Sequence, residues 1–260
     1  MVSVRVIPVV LLARRGAVKT VRFRDPRYVG DPLNIVRIYN MKEVDELILS
    51  DIEASKHRQT PDYDLIERIA SEAFMPVAYG GGVKTVAEGR RLISIGLEKV
   101  CINSAAFEEP GLIRKLADVL GTQSVVASID VTRTLRGTYR VVSHAGRRVP
   151  ERDPVRWADQ LIASGAGELV VNAVHRDGTM KGYDLELLRM FADRFDVPII
   201  ACGGAGTVAH IAEAVRTTHL DAFAAGARFI YQGRYRAVLP SYISSGDRDE
   251  IAHAADSRSR

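Results

Sequence analysis

The chain has 260 residues, of which 47% are hydrophobic and 26% are charged, a balance that excludes a disordered chain and suits one α/β barrel. Its two cysteines exclude a disulfide scaffold and favour a reducing compartment, so we expect a cytoplasmic protein. The net charge of +4 indicates no nucleic-acid partner, and the early apolar run 6–13 is far shorter than the ~20 residues that cross a membrane.

Eight short apolar runs follow one another along the chain. They are continuous rather than alternating, which is typical of parallel strands buried on both faces. The runs cover residues 4–12, 46–52, 76–79, 99–103, 124–130, 168–174, 198–202 and 222–227. Stretches with helical spacing lie between them, including 63–73, 86–95, 110–120, 154–164, 185–195 and 208–217. This alternation predicts a (β/α)8 TIM barrel, with a doubly wound open sheet as the alternative.

An internal repeat supports the barrel. Tyr63-Asp64-Leu65 reappears 120 residues later as Tyr183-Asp184-Leu185, and the glycine run that begins at Gly80 is answered by the one at Gly203. Two half-barrels would give this period. Two fused dinucleotide-binding halves would also give it, but no Gly-x-Gly-x-x-Gly follows the first strand. We therefore expect one barrel over residues 1–245 and a loose, polar C-terminal tail over 246–260.

Glycine-rich strand ends predict two phosphate sites. In such barrels the carboxyl ends of the strands form one mouth, and glycine lets backbone N–H groups approach an anion closely. The first predicted site is Gly81, Gly82, Asn103 and Ser104, and the second is Gly203, Gly204, Gly226 and Ala227. The ligand would be an anionic phosphorylated small molecule. The alternative is that these glycines form only tight turns.

Carboxylates at strand ends are the candidate acid–base groups. Asp130 is the strongest, because it lies where the fifth strand opens onto the mouth; Asp51 and Asp177 are supporting residues of the mouth. Lys19 belongs to an arginine-rich segment after the first strand, which is either a flexible lid over an anion or a solvated loop. The histidines, His144 and His175 among them, give weak signals, and both cysteines are expected in the core. No spacing suggests a metal, and no cofactor is expected.

Several motifs occur in the order and spacing of a known family. They are Gly30-Asp31-Pro32, Asp45-Glu46-Leu47, Gly80-Gly81-Gly82, Ile102-Asn103, Ile129-Asp130, Arg176-Asp177-Gly178-Thr179, Gly182-Tyr183-Asp184 and Gly203-Gly204-Ala205-Gly206. From Arg5 to about Leu239 the chain resembles the HisF family, the cyclase subunit of imidazole glycerol phosphate synthase. The resemblance implies a phosphate-binding TIM barrel and adds Gly178 to the expected phosphate contacts.

The resemblance also implies a partner and a route for ammonia. A HisH-like glutaminase would bind the N-terminal face, and ammonia would enter through a charged ring and cross the barrel. The matching ring positions are Arg5, Glu46, Lys99 and Glu168. The family has two catalytic aspartates; Asp130 matches one, but Leu11 stands where the other is expected. A leucine cannot transfer a proton, so independent cyclase activity is in doubt.

In lacking one of the two aspartates, the chain resembles a HisF-like subgroup of surface-polysaccharide biosynthesis. Segments 18–32, 51–56, 74–80 and 229–233 are similar to that subgroup. The leading hypothesis is therefore a subunit of a glutamine amidotransferase complex that channels ammonia to a sugar amidotransferase, for acetamidino-sugar formation. The alternatives are a histidine-pathway cyclase, which would be a lyase, and a non-catalytic barrel scaffold.

Overall fold

The computed structural model describes residues 4–144 and 153–257. Within those residues, eight parallel strands form a closed barrel with helices between them, which confirms the predicted TIM barrel. The barrel strands are β1 (Arg5–Ala13), β4 (Leu47–Asp51), β5 (Val77–Gly80), β6 (Lys99–Ile102), β7 (Val125–Arg133), β9 (Glu168–Ala173), β10 (Ile199–Cys202) and β11 (Ala222–Ala225). Each overlaps one of the eight apolar runs.

The barrel closes through β1, which pairs in parallel with a strand on each side. Arg5 is in register with Ala222 of β11, and Val9 is in register with Ile48 of β4. The remaining neighbours pair in the order β4, β5, β6, β7, β9, β10 and β11. Closure removes free edges, and it brings the carboxyl ends of all eight strands to one mouth.

Helices cover the outside of the barrel. They are α1 (Pro32–Met41), α2 (Tyr63–Glu72), α3 (Val86–Ser94), α4 (Ser104–Glu108), α5 (Leu112–Leu120), α6 (Pro154–Ala163), α7 (Leu185–Ala192), α8 (Val208–Thr218), α9 (Ala227–Ile230) and α10 (Ser245–Asp256). Local sequence explains where several helices begin: Thr85 and Glu88 form a capping box at the start of α3, and Asp153 caps α6 directly before Pro154.

Two apolar cores result from the alternation of side chains along each barrel strand. The larger core lies between strands and helices and includes the fully buried Tyr39, Phe191 and Phe229. The smaller core fills the barrel lumen and includes Ile7 and Val126. Strands buried on both faces are therefore continuously apolar, as the sequence predicts.

Antiparallel additions extend two barrel strands at the mouth. The hairpin β2 (Gly16–Val21) and β3 (Arg24–Gly30) follows β1, and β8 (Tyr139–Val142) folds back on β7. The sequence predicts a loop after the first strand, and this expectation is wrong: the arginine-rich segment is a paired hairpin. A separate two-stranded ribbon, β12 (Tyr231–Gln232) and β13 (Ala237–Val238), follows α9.

The C-terminal segment is ordered against the barrel. Helix α10 begins with a capping box at Ser244, buries Ile251 and packs on α8, while Arg248 donates to the Asp45 carboxylate at 2.9 Å. The expected loose end is therefore corrected for residues 246–256. The boundary between a barrel and a tail at residue 245 stays a prediction.

Helices in the described part of the chain are too short or too polar to cross a lipid bilayer.

Candidate functional site

The lumen of the barrel has three chemical layers. Every second residue of a parallel strand points inward, so on β1 the inward positions are Arg5, Ile7, Val9 and Leu11. Taken over all eight strands, charged residues lie at the N-terminal end of the lumen, apolar residues follow, and mostly polar residues surround the mouth, where β1 itself contributes Leu11. A route through the barrel would pass these layers in that order.

The four predicted entrance residues form one closed ring of ion pairs at the base. Arg5 donates to Glu46 at 2.6 Å and to Glu168 at 2.5 Å, while Lys99 donates to Glu46 at 3.1 Å and to Glu168 at 2.9 Å. Burial alone lowers the pKa of Lys99, but its hydrogen bonds to the glutamates outweigh burial and raise it. All four charges are thus paired, as buried charges must be.

The middle of the lumen is apolar. Its inward side chains include Ile7, Ala78, Val126, Ile200 and Ala224, each at most 1% exposed. Cys101 also belongs to this layer, and burial raises the pKa of its thiol, so the thiol stays neutral. The layer is closely packed and apolar, so it opposes the entry of an ion far more strongly than that of a small uncharged molecule.

The mouth contains one large cavity of about 740 Å³. It is lined by every residue that the sequence assigns to the mouth: Lys19, Asp51, Gly81, Gly82, Asn103, Ser104, Asp130, Asp177, Gly178, Gly203, Gly204, Gly226 and Ala227. The cavity also reaches down to Val9 and Val170 of the lumen, so the mouth and the upper barrel are continuous. Leu11 lines it as well, at the position where the family resemblance implies an aspartate.

Asp130 is a buried carboxylate held between two amides. It is 7% exposed, and it accepts hydrogen bonds from Asn103 Nδ2 at 2.7 Å and Asn172 Nδ2 at 3.0 Å. Burial raises the pKa of Asp130 to about 6, although both hydrogen bonds act in the opposite direction. A carboxyl group with a pKa this close to neutrality can exchange a proton there, so Asp130 is equipped for acid–base work.

Lys19 reaches from the hairpin into the mouth. Its side chain is 5% exposed, and its ammonium group donates to the Val9 carbonyl and lies against Gly226. Burial lowers the pKa of Lys19 to about 8, and Asp177 and Cys202 limit the shift. The lysine therefore occupies the space that a side chain at position 226 would fill.

The hairpin is fastened across the mouth to the loop after β9. Thr20 donates to the Asp177 carboxylate at 3.2 Å, and the Arg22 backbone N–H donates to the Asp177 carbonyl at 3.0 Å. Arg22 Nε also donates to the His175 carbonyl at 3.1 Å. Gly178 has a φ of +67° and packs on the Thr20 carbonyl with no room for a Cβ.

The predicted phosphate contacts lie together, but several have structural tasks in this chain. A side chain at Gly81 would come within 2.6 Å of the Asp51 carbonyl, and Asp51 itself accepts from the backbone N–H groups of Glu53 and Ala54. Asn103 Nδ2 donates to Asp130 while its buried Oδ1 has no hydrogen-bond partner among the described residues, and Ser104 Oγ accepts from the His144 backbone at 2.9 Å. Phosphate binding at both glycine loops stays a prediction.

Three residues of the site are not among those that the sequence predicts. Asn172 shares the inward face of β9 with Glu168, so counting by two from Glu168 would have found it. Cys202 was expected in the core, but it lines the cavity. His144, one of the histidines whose sequence signal is weak, lines the mouth, and its Nε2 lies 2.8 Å from the Glu108 carboxylate. Its place depends on β8, which pairs with β7 around a turn that contains Gly137. A glycine turn between two runs of strand-forming residues is the sequence signal that predicts such a hairpin.

Comparisons with known proteins agree with this architecture. A family model described as "Histidine biosynthesis protein" matches residues 5–236. A Pseudomonas aeruginosa protein named "Putative imidazole glycerol phosphate synthase subunit hisF2" is 50% identical over 242 residues, covering 93% of this chain and 96% of that protein. A Streptomyces coelicolor protein named "Imidazole glycerol phosphate synthase subunit HisF" is 42% identical over 213 residues, covering 82% of this chain and 85% of that protein.

Replacing Asp130 with asparagine should change how stability depends on pH. The pKa of Asp130 in the folded protein, about 6, exceeds its ordinary value of 3.8, so the folded state binds the proton more tightly. The wild-type free energy of unfolding therefore loses about 3 kcal/mol as pH rises from about 4 to about 6, and Asp130→Asn should not show this loss. Urea unfolding at a series of pH values measures it, with the exposed Asp118→Asn as control. A pH-independent difference between Asp130→Asn and wild type would contradict the burial argument.

Replacing Gly178 with alanine should detach the hairpin from the loop after β9. The added methyl group meets the Thr20 carbonyl, so we expect trypsin to cleave at Arg22, Arg24 or Arg27 about tenfold faster. Gly96→Ala is the matched control, because Gly96 also has a positive φ, +111°, but nothing lies near its Cβ position. Equal cleavage rates in the two variants would show that contact at Gly178 does not hold the hairpin.

Proposed function

The chain belongs to the HisF family of histidine biosynthesis proteins, and from this premise we propose that it is the ammonia-channelling barrel subunit of a glutamine amidotransferase complex. The observation that carries the proposal is the layered lumen. A ring of paired charges stands at the base, an apolar layer follows, and a polar cavity opens at the other end. Ammonia is small and uncharged, so its transfer from water into an apolar layer costs much less free energy than the transfer of an ion.

The partner at the base would be a HisH-like glutaminase. The ring of Arg5, Glu46, Lys99 and Glu168 lies at the N-terminal ends of four strands, which is the face through which ammonia would enter. The relatives in Pseudomonas and Streptomyces are named as subunits of imidazole glycerol phosphate synthase. A subunit role within a larger complex is the natural reading of those names for this chain too.

The chemistry at the mouth would differ from the chemistry of a cyclase that has two catalytic aspartates. Leu11 offers no proton, while Asp130 retains a pKa of about 6. We therefore place the final ammonia transfer on a separate sugar amidotransferase, which would convert an acetamido group into an acetamidino group on a surface-polysaccharide sugar. The motifs in segments 18–32, 51–56 and 74–80 support this subgroup.

A histidine-pathway cyclase is the second candidate. Both glycine loops and Asp130 line one cavity, which favours a ligand with a phosphate at each end. Under this alternative Asp130 would act alone, or with Lys19 in place of the missing carboxylate. A non-catalytic scaffold is the third candidate, and phosphate bound at Gly82 or Gly204 in a crystal would count against it.

Glutaminase coupling tests the proposed function directly. We expect the purified chain to stimulate glutamine hydrolysis by a HisH-like glutaminase from the same genome. Lys99→Met leaves two buried glutamates facing Arg5 alone, so it should reduce the stimulation about fivefold or more. Lys115→Met is the control, because Lys115 also pairs with a glutamate but lies exposed on α5. The proposal fails if the wild-type chain binds and stimulates no such glutaminase.

Leu11→Asp separates channelling from cyclase chemistry. We expect the wild-type chain with ammonium to show no turnover of the phosphorylated aminoimidazole precursor, because one proton-transfer group is missing. Leu11→Asp should restore measurable turnover if the remaining site is intact, whereas Leu11→Asn, which is similar in size but does not ionise, should not. Turnover by the wild-type chain at the rate of Leu11→Asp would favour the histidine-pathway alternative.

A further inference from the structure

Three cationic side chains lie at one end of the mouth cavity. Lys56 and Arg58 belong to the loop after β4, and Lys84 belongs to the loop after β5. All three line the cavity, as Gly82 and Ser104 do. Lys56 and Arg58 are exposed, whereas Lys84 is half-buried. The first glycine loop therefore has a cationic rim, which we define as Lys56, Arg58 and Lys84.

Close contacts hold the two loops of the cationic rim against each other. A Cβ at Gly82 would come within 2.7 Å of the Gln59 carbonyl oxygen and 3.0 Å of Ala54 Cβ. The first two rim cations lie between Ala54 and Gln59, and the Gln59 N–H closes that turn by donating to the Ala54 carbonyl at 2.8 Å. The third rim cation follows Gly82 by two residues. The fold thus brings the three cations to one place.

The fold does not neutralise the cationic rim. Within residues 4–144 and 153–257, none of the three charged groups forms an ion pair or a side-chain hydrogen bond. The carboxylates that line this end have other neighbours: Asp51 accepts from two backbone N–H groups, and Glu108 lies 2.8 Å from His144 Nε2. Glu53 lies 4.0 Å from Arg14. The rim therefore offers its positive charge to a ligand.

The second glycine loop has a different lining. Among the described residues that line the cavity, Lys19 is the cation beside Gly226, and its ammonium group donates to the Val9 carbonyl. The Asp177 carboxylate lines the same end. A ligand that spans the mouth would therefore find more positive charge at the first glycine loop than at the second.

We propose that the cationic rim is a subsite for the outer phosphoryl group of a diphosphate, so that the mouth takes a small molecule with a diphosphate at this end. The glycine loop would hold the inner phosphoryl group. A single phosphate at the glycine loop would leave the rim cations unused, whereas a diphosphate ester extends its negative charge over two adjacent phosphoryl groups. Arg58 can bind two phosphate oxygens with its guanidinium group, and the lysines act as point charges.

The size of the mouth is compatible with such a ligand. The cavity of about 740 Å³ lies in the range of pockets that enclose small molecules. A diphosphate at the rim would direct the rest of the molecule toward Asp130 and the second glycine loop. The subsite goes beyond the ammonia-channelling function and does not depend on it.

The test uses the full chain with inorganic pyrophosphate and inorganic orthophosphate as probes. Isothermal titration calorimetry measures both affinities at low and constant ionic strength without divalent cations, because salt screens exposed charges. We expect pyrophosphate to bind about tenfold more tightly than orthophosphate or better, since only pyrophosphate reaches both the glycine loop and the rim.

Variants assign the binding to the rim. Lys56→Met, Arg58→Met and Lys84→Met should each weaken pyrophosphate binding about fivefold and orthophosphate binding less than about twofold, because each removes one charged hydrogen-bond donor from the outer group. Lys181→Met is the matched control and should leave both affinities unchanged. Lys181 is an exposed lysine in the loop after β9, and it does not line the cavity. Circular dichroism and the melting temperature check that each variant is folded.

Other results would overturn the proposal. Equal affinities for the two probes would indicate a site for a single phosphate, and no binding of pyrophosphate would exclude the subsite. Equal losses in Lys181→Met and the rim variants would indicate attraction by the overall charge. Pyrophosphate binding that no rim variant weakens would indicate a different site. None of these measurements involves a glutaminase, so a failure of the subsite is distinguishable from a failure of the proposed function.

Discussion

Closure of the eight-stranded sheet is the constraint on which the rest of this structure depends. Once β1 pairs with both β4 and β11, each barrel strand must send alternate side chains into one enclosed lumen. Inward residues from distant parts of the sequence then meet at equal depth. Arg5 and Glu168 are 163 positions apart, yet they form one ion pair. The lumen is consequently a stack of layers, each assembled from several strands.

The layers differ in how they satisfy polar groups. At the base, four charges neutralise one another in a closed ring, so burial is tolerable without solvent. At the mouth, the charges are arranged less symmetrically. Asp130 receives two neutral amide donors and no cation, and burial moves its pKa toward neutrality. Lys19 has a backbone carbonyl as its acceptor, and its pKa moves down toward neutrality. The base is therefore electrostatically fixed, while the mouth contains groups that can exchange protons.

The hairpin β2–β3 covers part of the mouth, and the barrel strands alone do not provide this cover. Its inner strand supplies Lys19 and Thr20, and its attachment to Asp177 and Gly178 connects β1 to the loop after β9. Gly178 thus serves the approach of two backbones in this chain, in addition to its predicted place beside an anion. Leu11 lines the same mouth, so the cavity contains Asp130 from the expected pair of aspartates together with the buried ammonium group of Lys19.

The sequence by itself determined the barrel, its eight strands, the charged ring at the base and most residues of the mouth, because continuous apolar runs, glycine-rich strand ends and family motifs are local signals. It also located Leu11 at the position where the family resemblance implies a second aspartate. Only the tertiary structure decided that the arginine-rich segment is a paired hairpin, that α10 packs on the barrel, and that Asn172, His144 and Cys202 line the mouth. The packing of α10 and the three mouth residues depend on contacts between segments far apart in the chain. The hairpin pairs residues close in sequence, such as Val18 with Tyr28, and its position over the mouth depends on the distant Asp177. The pKa values of Asp130 and Lys19 likewise follow from burial by several strands at once, and no pattern along one strand contains that information.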